Sequence, residues 1–224
     1  MKFLLKMVIS FSVIIMVFGL ILGYSLYSNS VKLVSQTIGI QAKNIAQSVA
    51  NTLDMDDVDK VIDRTKLMKD PKREYSAIVD MPEYQSIRTQ LYNYKKTYGI
   101  KYIYIMTRNN EGKNIYVIDG FPLNYSGSDI SLPGEIEEVS YKYLDLAFDQ
   151  HKMYVGDLTV DNHWGANVAT YVPLNNNSGK FIGLLAVDID AEEVYHFMET
   201  SKNEMTLLTI GAIFIAIIIS YLIS

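Results

Sequence analysis

The chain has 224 residues, a formal net charge of −5, 49% hydrophobic residues and no cysteine. The missing thiols exclude disulfides and cysteine catalysis, and an acidic chain without a basic patch argues against a nucleic-acid partner. The two ends stand apart from the rest: Met7 to Val31 is 25 residues without a charge, and Met205 to Ser224 is 20.

At about 1.5 Å rise per residue, each uncharged stretch is long enough for a hydrocarbon layer of roughly 30 Å. Lys2 and Lys6 precede the first one, which favours a cytoplasmic N-terminus. A cleaved signal peptide is the rival reading. The residues after the apolar run, Gly-Tyr-Ser-Leu-Tyr-Ser-Asn-Ser, offer no clear small-x-small cleavage site, so an uncleaved anchor is favoured. The expected organisation is a cytoplasmic start and first span over 1–30, an extracytoplasmic domain over 31–204 and a second span over 205–224. The protein is then a two-span cell-membrane protein. Its central part carries a formal −7, because Lys2 and Lys6 lie outside it. The sequence stops within or just after the second span, so it reads as an input half whose output lies in further chain or in a partner.

In chain order, Val31, Val34, Ile38, Ala42, Ile45, Val49 and Leu53 recur every three or four residues, the stripe of a long helix continuous with the first span. The stripe fits packing against its own domain or pairing of two copies as a homodimer, Val31 to Leu53 covering about three heptads. Asp54, Asp56, Asp57 and Asp59 begin like a calcium loop, but the sixth position (Asp59) is not glycine and the twelfth (Thr65) is not glutamate. Acids opening a helical turn are the better account. Residues 66 to 82, with three lysines, an arginine and two prolines, read as a solvated loop. Glu83 to Tyr98 reads as a helix stopped by Gly99. Ile100 to Met106 and Asn114 to Asp119 form a hairpin about Asn109-Asn110-Glu111-Gly112.

Gly120 to Gly134 is loop-like and can fold over a sheet face. Glu135 to Gln150 suits a helix with Ile136, Val139, Tyr143, Leu144 and Ala147 on its apolar side. Met153 to Val160 reads as a strand, followed by a turn at Asp161-Asn162. Ala166 to Pro173 and Lys180 to Ile189 form a second hairpin about Asn175 to Gly179. In its second strand Phe181, Gly183, Leu185, Val187 and Ile189 are expected on one face and Ile182, Leu184, Ala186 and Asp188 on the other. Asp190, with Glu193 three residues on, suits an N-cap of a last helix. Strands joined by short turns beside helices predict an α+β domain with an antiparallel sheet.

Catalytic patterns are missing: His151, His163 and His196 form no HExxH, and there is no GxSxG or phosphate-cradling glycine loop. Asp157, Asp161 and His163 could be assembled into a metal site, but acids and a histidine about a surface turn are usually solvated. No metal or cofactor is expected, and no enzyme. What stands out is aromatic, with 17 tyrosines. Tyr102, Tyr104, Tyr116 and Tyr171 recur on strand faces. With Trp164, Asp119 and Asp188 they have the composition of a small-molecule pocket, apolar with a few polar groups. Half-buried sheet tyrosines with their hydroxyls at the rim are the plainer reading. Asp188, a carboxylate at the end of an apolar face, needs a partner, either structural or a ligand.

The anchor, the long membrane-proximal helix, the strand pair IKYIYIMTRNNEGKNIYVIDG and the run HWGANVATYVPLNNNSGKFIGLLAVDID together resemble a bacterial extracytoplasmic Cache sensor domain of the single-Cache type, over roughly 30 to 204. The resemblance implies a PAS-like sheet and a non-enzymatic sensing role in a chemoreceptor, histidine kinase or diguanylate cyclase. It also implies a small-molecule ligand such as an amino acid, an organic acid or a similar metabolite. Asp188 matches the aspartate that holds the amine of amino-acid ligands, with Tyr104, Trp164 and Tyr171 in places comparable to the pocket aromatics. No counterpart of the family's Arg-x-Trp carboxylate grip is found. The alternative is a membrane-tethered structural or partner-binding protein with no small-molecule ligand.

Overall fold

The structure is a computed structural model and describes residues 2–125, 127, 129–161 and 164–223. In chain order it contains α1 (Lys2–Ala50), α2 (Met55–Lys66), α3 (Pro71–Val79), α4 (Pro82–Tyr98), β1 (Tyr102–Arg108), β2 (Asn114–Asp119), α5 (Lys142–Gln150), β3 (Tyr154–Asp161), β4 (Gly165–Asn175), β5 (Phe181–Asp190) and α6 (Glu192–Ile223). These elements form two compact units, Met1–Gln36 with Glu192–Ser224, and Thr37–Ala191.

Two stretches are long and apolar enough to cross a membrane, Ile9–Ala50, which starts in the first unit and continues past Gln36, and Glu192–Ile219, with mean hydropathies of 2.3 and 1.7. Their large side chains face outward, Phe18 at 64% exposure and Leu207 at 72%. Such surface is costly in water and suited to lipid.

The second unit is built on a five-stranded antiparallel sheet in the order β2-β1-β5-β4-β3. Both expected hairpins form, and an asparagine organises each turn. Asn109 Oδ1 accepts from the Glu111 and Lys113 N–H groups at 3.0 and 2.9 Å. Asn176 Oδ1 accepts from those of Ser178 and Lys180 at 3.1 and 3.0 Å. This side-chain mimicry of a backbone turn fixes the strand register.

One sheet face is covered by helices. Ala42, Ala46 and Val49 of α1, Val58, Val61 and Ile62 of α2, Ile78 of α3, and Tyr84, Ile87 and Leu91 of α4 pack on Ile103, Ile105, Val117, Leu185 and Val187. From Ile38 onward the α1 stripe is therefore engaged by its own domain. Gly39 belongs to this contact, since a Cβ there would stand 2.6 Å from Val155 Cγ1. The opposite face carries Tyr104, Met106, Tyr116, Ala169, Tyr171, Leu184 and Ala186, and α5 covers part of it through Leu144, Ala147 and Phe148.

Four expectations are corrected. The supposed loop over 66 to 82 contains α3: Pro71 occupies its first turn, where no N–H partner is needed, and Ile78 is buried. Glu135 to Tyr141 is not helical, and α5 begins at Lys142. Instead Glu135 O accepts from Tyr116 N–H at 2.9 Å, Glu137 N–H donates to Asn114 O at 3.0 Å, and Ile136 bridges Ile115. The free edge of β2 claims this segment, and sheet hydrogen bonds outweigh its helical periodicity. In β5, Phe181 lies with Leu184 and Ala186, and Ile182 with Leu185 and Val187. The register slips between Leu174 and Asn175, whose partners are Gly183 and Phe181, so the first two residues point opposite to the simple alternation. Asp190 ends β5 and pairs with Lys101 Nζ at 3.4 Å rather than opening α6, which begins at Glu192.

Candidate functional site

A cavity of about 300 Å³ lies on the tyrosine-bearing face of the sheet. The two-residue period and the register together build it. Tyr102 of β1, Asp188 of β5 and Ala169 of β4 form one cross-strand row, and Tyr104, Ala186 and Tyr171 form the next. Asp119, the last residue of β2, stands opposite Tyr104. Small residues leave the space open: Ala169 faces Asp188, and a Cβ on lining Gly156 would meet Ala169 O at 3.2 Å.

All six residues singled out from the sequence, Tyr102, Tyr104, Asp119, Trp164, Tyr171 and Asp188, line this one cavity. Trp164 meets Tyr102 edge to face at 5.2 Å, and the Tyr104 and Tyr116 rings are 5.4 Å apart. Such aromatic pairs hold each other's orientation while leaving a face to the cavity. Asp157 and Asp161 line it as well, the first accepting from Tyr143 Oη at 3.2 Å and the second from the Trp164 N–H at 3.0 Å. His163 and the Asn162 half of the expected turn lie outside the described residues.

Asp188 is 6% exposed. Tyr104 Oη is 3.4 and 3.5 Å from its two carboxylate oxygens, a long and weak contact. Burial, reinforced by the charge of Asp119 and eased by the Tyr104 hydroxyl, pushes the carboxyl up to about 7. Asp119 is 3% exposed, and its Oδ2 accepts from the Ser131 N–H at 3.0 Å. Its Oδ1 has no hydrogen-bond partner among the described residues. Burial also pushes this carboxyl up to about 7, against the pull of the Ser131 N–H and of the Lys95 and Arg88 charges.

The loop after β2 is tied down at its start. Buried Arg88 donates from Nε to Phe121 O at 2.8 Å and from an Nη to Pro122 O at 2.7 Å. Lys95 Nζ sits 3.7 Å from the Phe121 ring centre, and burial lowers its pKa. This anchoring brings Ser131 to Asp119.

Sequence reasoning missed Ser131, Glu137, Tyr141, Thr159 and Asn167, which also line the cavity. The helical period of Glu135 to Gln150 hides Glu137. In the extended segment it accepts from Tyr116 Oη at 2.5 Å and from the Val139 N–H at 2.9 Å. The signal in the sequence was Leu132-Pro133-Gly134 just before it, which argues for an irregular start. Burial raises the Tyr104 and Tyr171 hydroxyls, with Asp188 as the next cause, and pushes Tyr141 up to about 12. These phenols stay neutral and offer hydrogen bonds rather than charge. Among the described lining residues, five carboxylates (Asp119, Glu137, Asp157, Asp161 and Asp188) face one cation, Lys142. The cavity suits a small, partly apolar molecule with a positive group.

No known family profile matches the chain. No curated protein matches it by sequence. Among solved structures it is similar to the sensory domain of the Campylobacter jejuni chemoreceptor Tlp3 with isoleucine bound, at 14% identity and a TM-score of 0.37 over 79% of this chain and 65% of that one. It is similar to the periplasmic sensory domain of the C. jejuni chemoreceptor Tlp1, at 12% identity and a TM-score of 0.43 over 75% and 60%. A third is the periplasmic domain of RsbU from Chlamydia trachomatis, at 11% identity and a TM-score of 0.36 over 80% and 58%. The match thus spans less than two thirds of the length of each of these solved chains.

Proposed function

We propose that the chain is the extracytoplasmic small-molecule sensing part of a membrane signalling receptor, and that its ligand presents an ammonium group to Asp188. The observation that carries this reading is Asp188 itself: buried, on the cavity wall, and met among the described residues by the long Tyr104 hydroxyl contact. An uncompensated buried carboxylate is costly, and an ammonium supplies both the opposite charge and the hydrogen bonds. The carboxylate-rich lining disfavours an anionic organic acid. Two long apolar helices and the lysines at positions 2 and 6 support placing Thr37–Ala191 outside the cytoplasm. Binding shifts a conformational equilibrium by as much as the ligand prefers one state over the other, and that difference is the signal. Two copies would pair along α1 through the start of its stripe, where Val34 is 42% exposed, because the stripe from Ile38 onward is engaged in the domain core.

The single tryptophan, Trp164, lies on the cavity wall and serves as a built-in reporter. The full chain in lipid nanodiscs is titrated with amines, amino acids and organic acids while Trp164 emission and thermal unfolding are followed. A ligand at a hundred times its dissociation constant adds about 2.7 kcal/mol to the folded state, a visible rise in melting temperature. The expected result is a response to amine-bearing compounds that is lost in a folded Asp188→Asn protein. No response from any class, with Asp188→Asn altering stability alone, sinks the sensing reading in favour of a structural or partner-binding protein.

A further inference from the structure

Two buried carboxylates, not one, line the cavity, and Asp188 is met there by the long Tyr104 hydroxyl contact at 3.4 and 3.5 Å. Besides Asp188, Asp119 is 3% exposed, lines the same space, and leaves Oδ1 without a donor among the described residues. A buried acceptor in this state carries its full desolvation cost until something donates to it. The two sit on strands separated by β1, with Asp119 opposite Tyr104 and Asp188 opposite Tyr102. At about 4.8 Å between strands, and a two-residue offset along them, their Cα atoms are roughly 10 to 12 Å apart. Between them on β1 are the rings of Tyr102 and Tyr104, which both line the cavity. The lining therefore has two acidic poles with an aromatic stretch between.

We propose that the ligand is a diammonium compound, an alkyl chain with a cationic amine at each end and no carboxylate, held by Asp188 at one end and Asp119 at the other. This rests on the small-molecule reading above and narrows it. The methylene spacer lies over the Tyr102 and Tyr104 rings, an apolar contact, and each ammonium next to a ring gains cation–π attraction. An amino acid fits less well. Its carboxylate would enter a wall lined by five carboxylates and, among the described lining residues, one cation, Lys142, with the Lys95 and Arg88 charges acting on Asp119 from outside the lining.

The test uses the full chain in nanodiscs and three probes with the same five-carbon chain: cadaverine (two ammonium ends), pentylamine (one) and δ-aminovalerate (one, with a carboxylate at the other end). Affinity is read from Trp164 emission and from thermal unfolding. Cadaverine is expected to bind about ten- to a hundredfold tighter than pentylamine, the range of one charged hydrogen-bonded contact, and δ-aminovalerate weakest. Asp119→Asn, which keeps shape and removes charge, is expected to lower cadaverine affinity at least about tenfold more than pentylamine affinity, the worth of one such contact; unfolding curves confirm that the variant folds. Equal affinity for cadaverine and pentylamine, or tightest binding of δ-aminovalerate, overturns the diammonium inference and leaves the Asp188 reading standing. Equal losses for both amines in Asp119→Asn also overturn it. Binding of none of the three probes, nor of any compound in the broader panel, overturns both.

Discussion

The two faces of the sheet are made by the same five strands and are chemically opposite. One is dry and aliphatic, with Ile103, Ile105, Leu185 and Val187 fully buried beneath α1, α2 and α4. The other is aromatic and acidic, with tyrosines from three strands, two buried carboxylates and a cavity of about 300 Å³. A two-residue period lets a single strand serve both: in β5, Leu185 and Val187 go to one side while Ala186 and Asp188 go to the other. The difference teaches where stability and recognition are stored. The dry face gains from burial at small polar cost, the fully buried Thr170 hydroxyl being a group on it without a hydrogen-bond partner among the described residues. The acidic face holds desolvated charge, which costs stability and which a cation would offset.

The largest expected effect lies on the dry face. Leu185→Ala removes a fully buried side chain from the middle of the sheet and should lower unfolding free energy by about 4 kcal/mol, measured by denaturant unfolding of the full chain in nanodiscs. A loss below about 1 kcal/mol would mean that this face is not the stabilising one.

Next comes pH, which separates the faces because only one of them holds buried titratable groups of this kind. Asp119 and Asp188, at about 7 in the folded chain, lie well above the roughly 3.9 of an unfolded aspartate. The folded state then binds more protons than the unfolded one between these values. Their contribution is full below about pH 4, falls as pH rises to about 7, and is flat beyond. The unliganded chain should lose stability steadily over that window, at up to roughly 1.4 kcal/mol per pH unit for each group. Glu137, Asp157, Asp161 and Lys142 line the same cavity. The double variant Asp119→Asn, Asp188→Asn isolates the effect, and an unchanged pH profile in it would refute the assignment.

A smaller and opposite effect is expected from Asp188→Asn in the unliganded chain at pH 8. Removing a poorly compensated buried charge should stabilise the fold by about 1 to 2 kcal/mol while abolishing amine binding. Destabilisation instead would place Asp188 with the structural residues of the dry face. Smallest is Asn177→Ala, far from the cavity. Its amide donates to Asp56 Oδ1 at 2.7 Å in an exposed contact between the second hairpin and α2, and its loss should cost under about 1 kcal/mol and leave ligand binding unchanged.

Much of the site was legible in the sequence, because the strands were. Alternation placed Tyr102 and Tyr104 on one face, the asparagine turns fixed two hairpins, and the composition around Asp188 marked a carboxylate in apolar company. What failed was local reasoning at places where a distant partner decided. The helical period of Glu135 to Tyr141 yielded to the open edge of β2, and this hid Glu137. The irregular pairing at Leu174 and Asn175 reversed Phe181 and Ile182, since one skipped residue inverts every side chain before it.

By itself, then, the sequence determined the two apolar stretches, the α+β order, the turns and the residue types available for a pocket. These depend on composition, period and backbone preference within about a dozen neighbouring residues. Only the tertiary structure decided that Asp119 and Asp188, separated by the whole length of chain from β2 to β5, share one cavity. It alone also showed that one Asp119 oxygen has no hydrogen-bond partner among the described residues. Hydrogen-bond satisfaction and desolvation are properties of who ends up beside whom, and strand order sets that across distances that no local pattern spans.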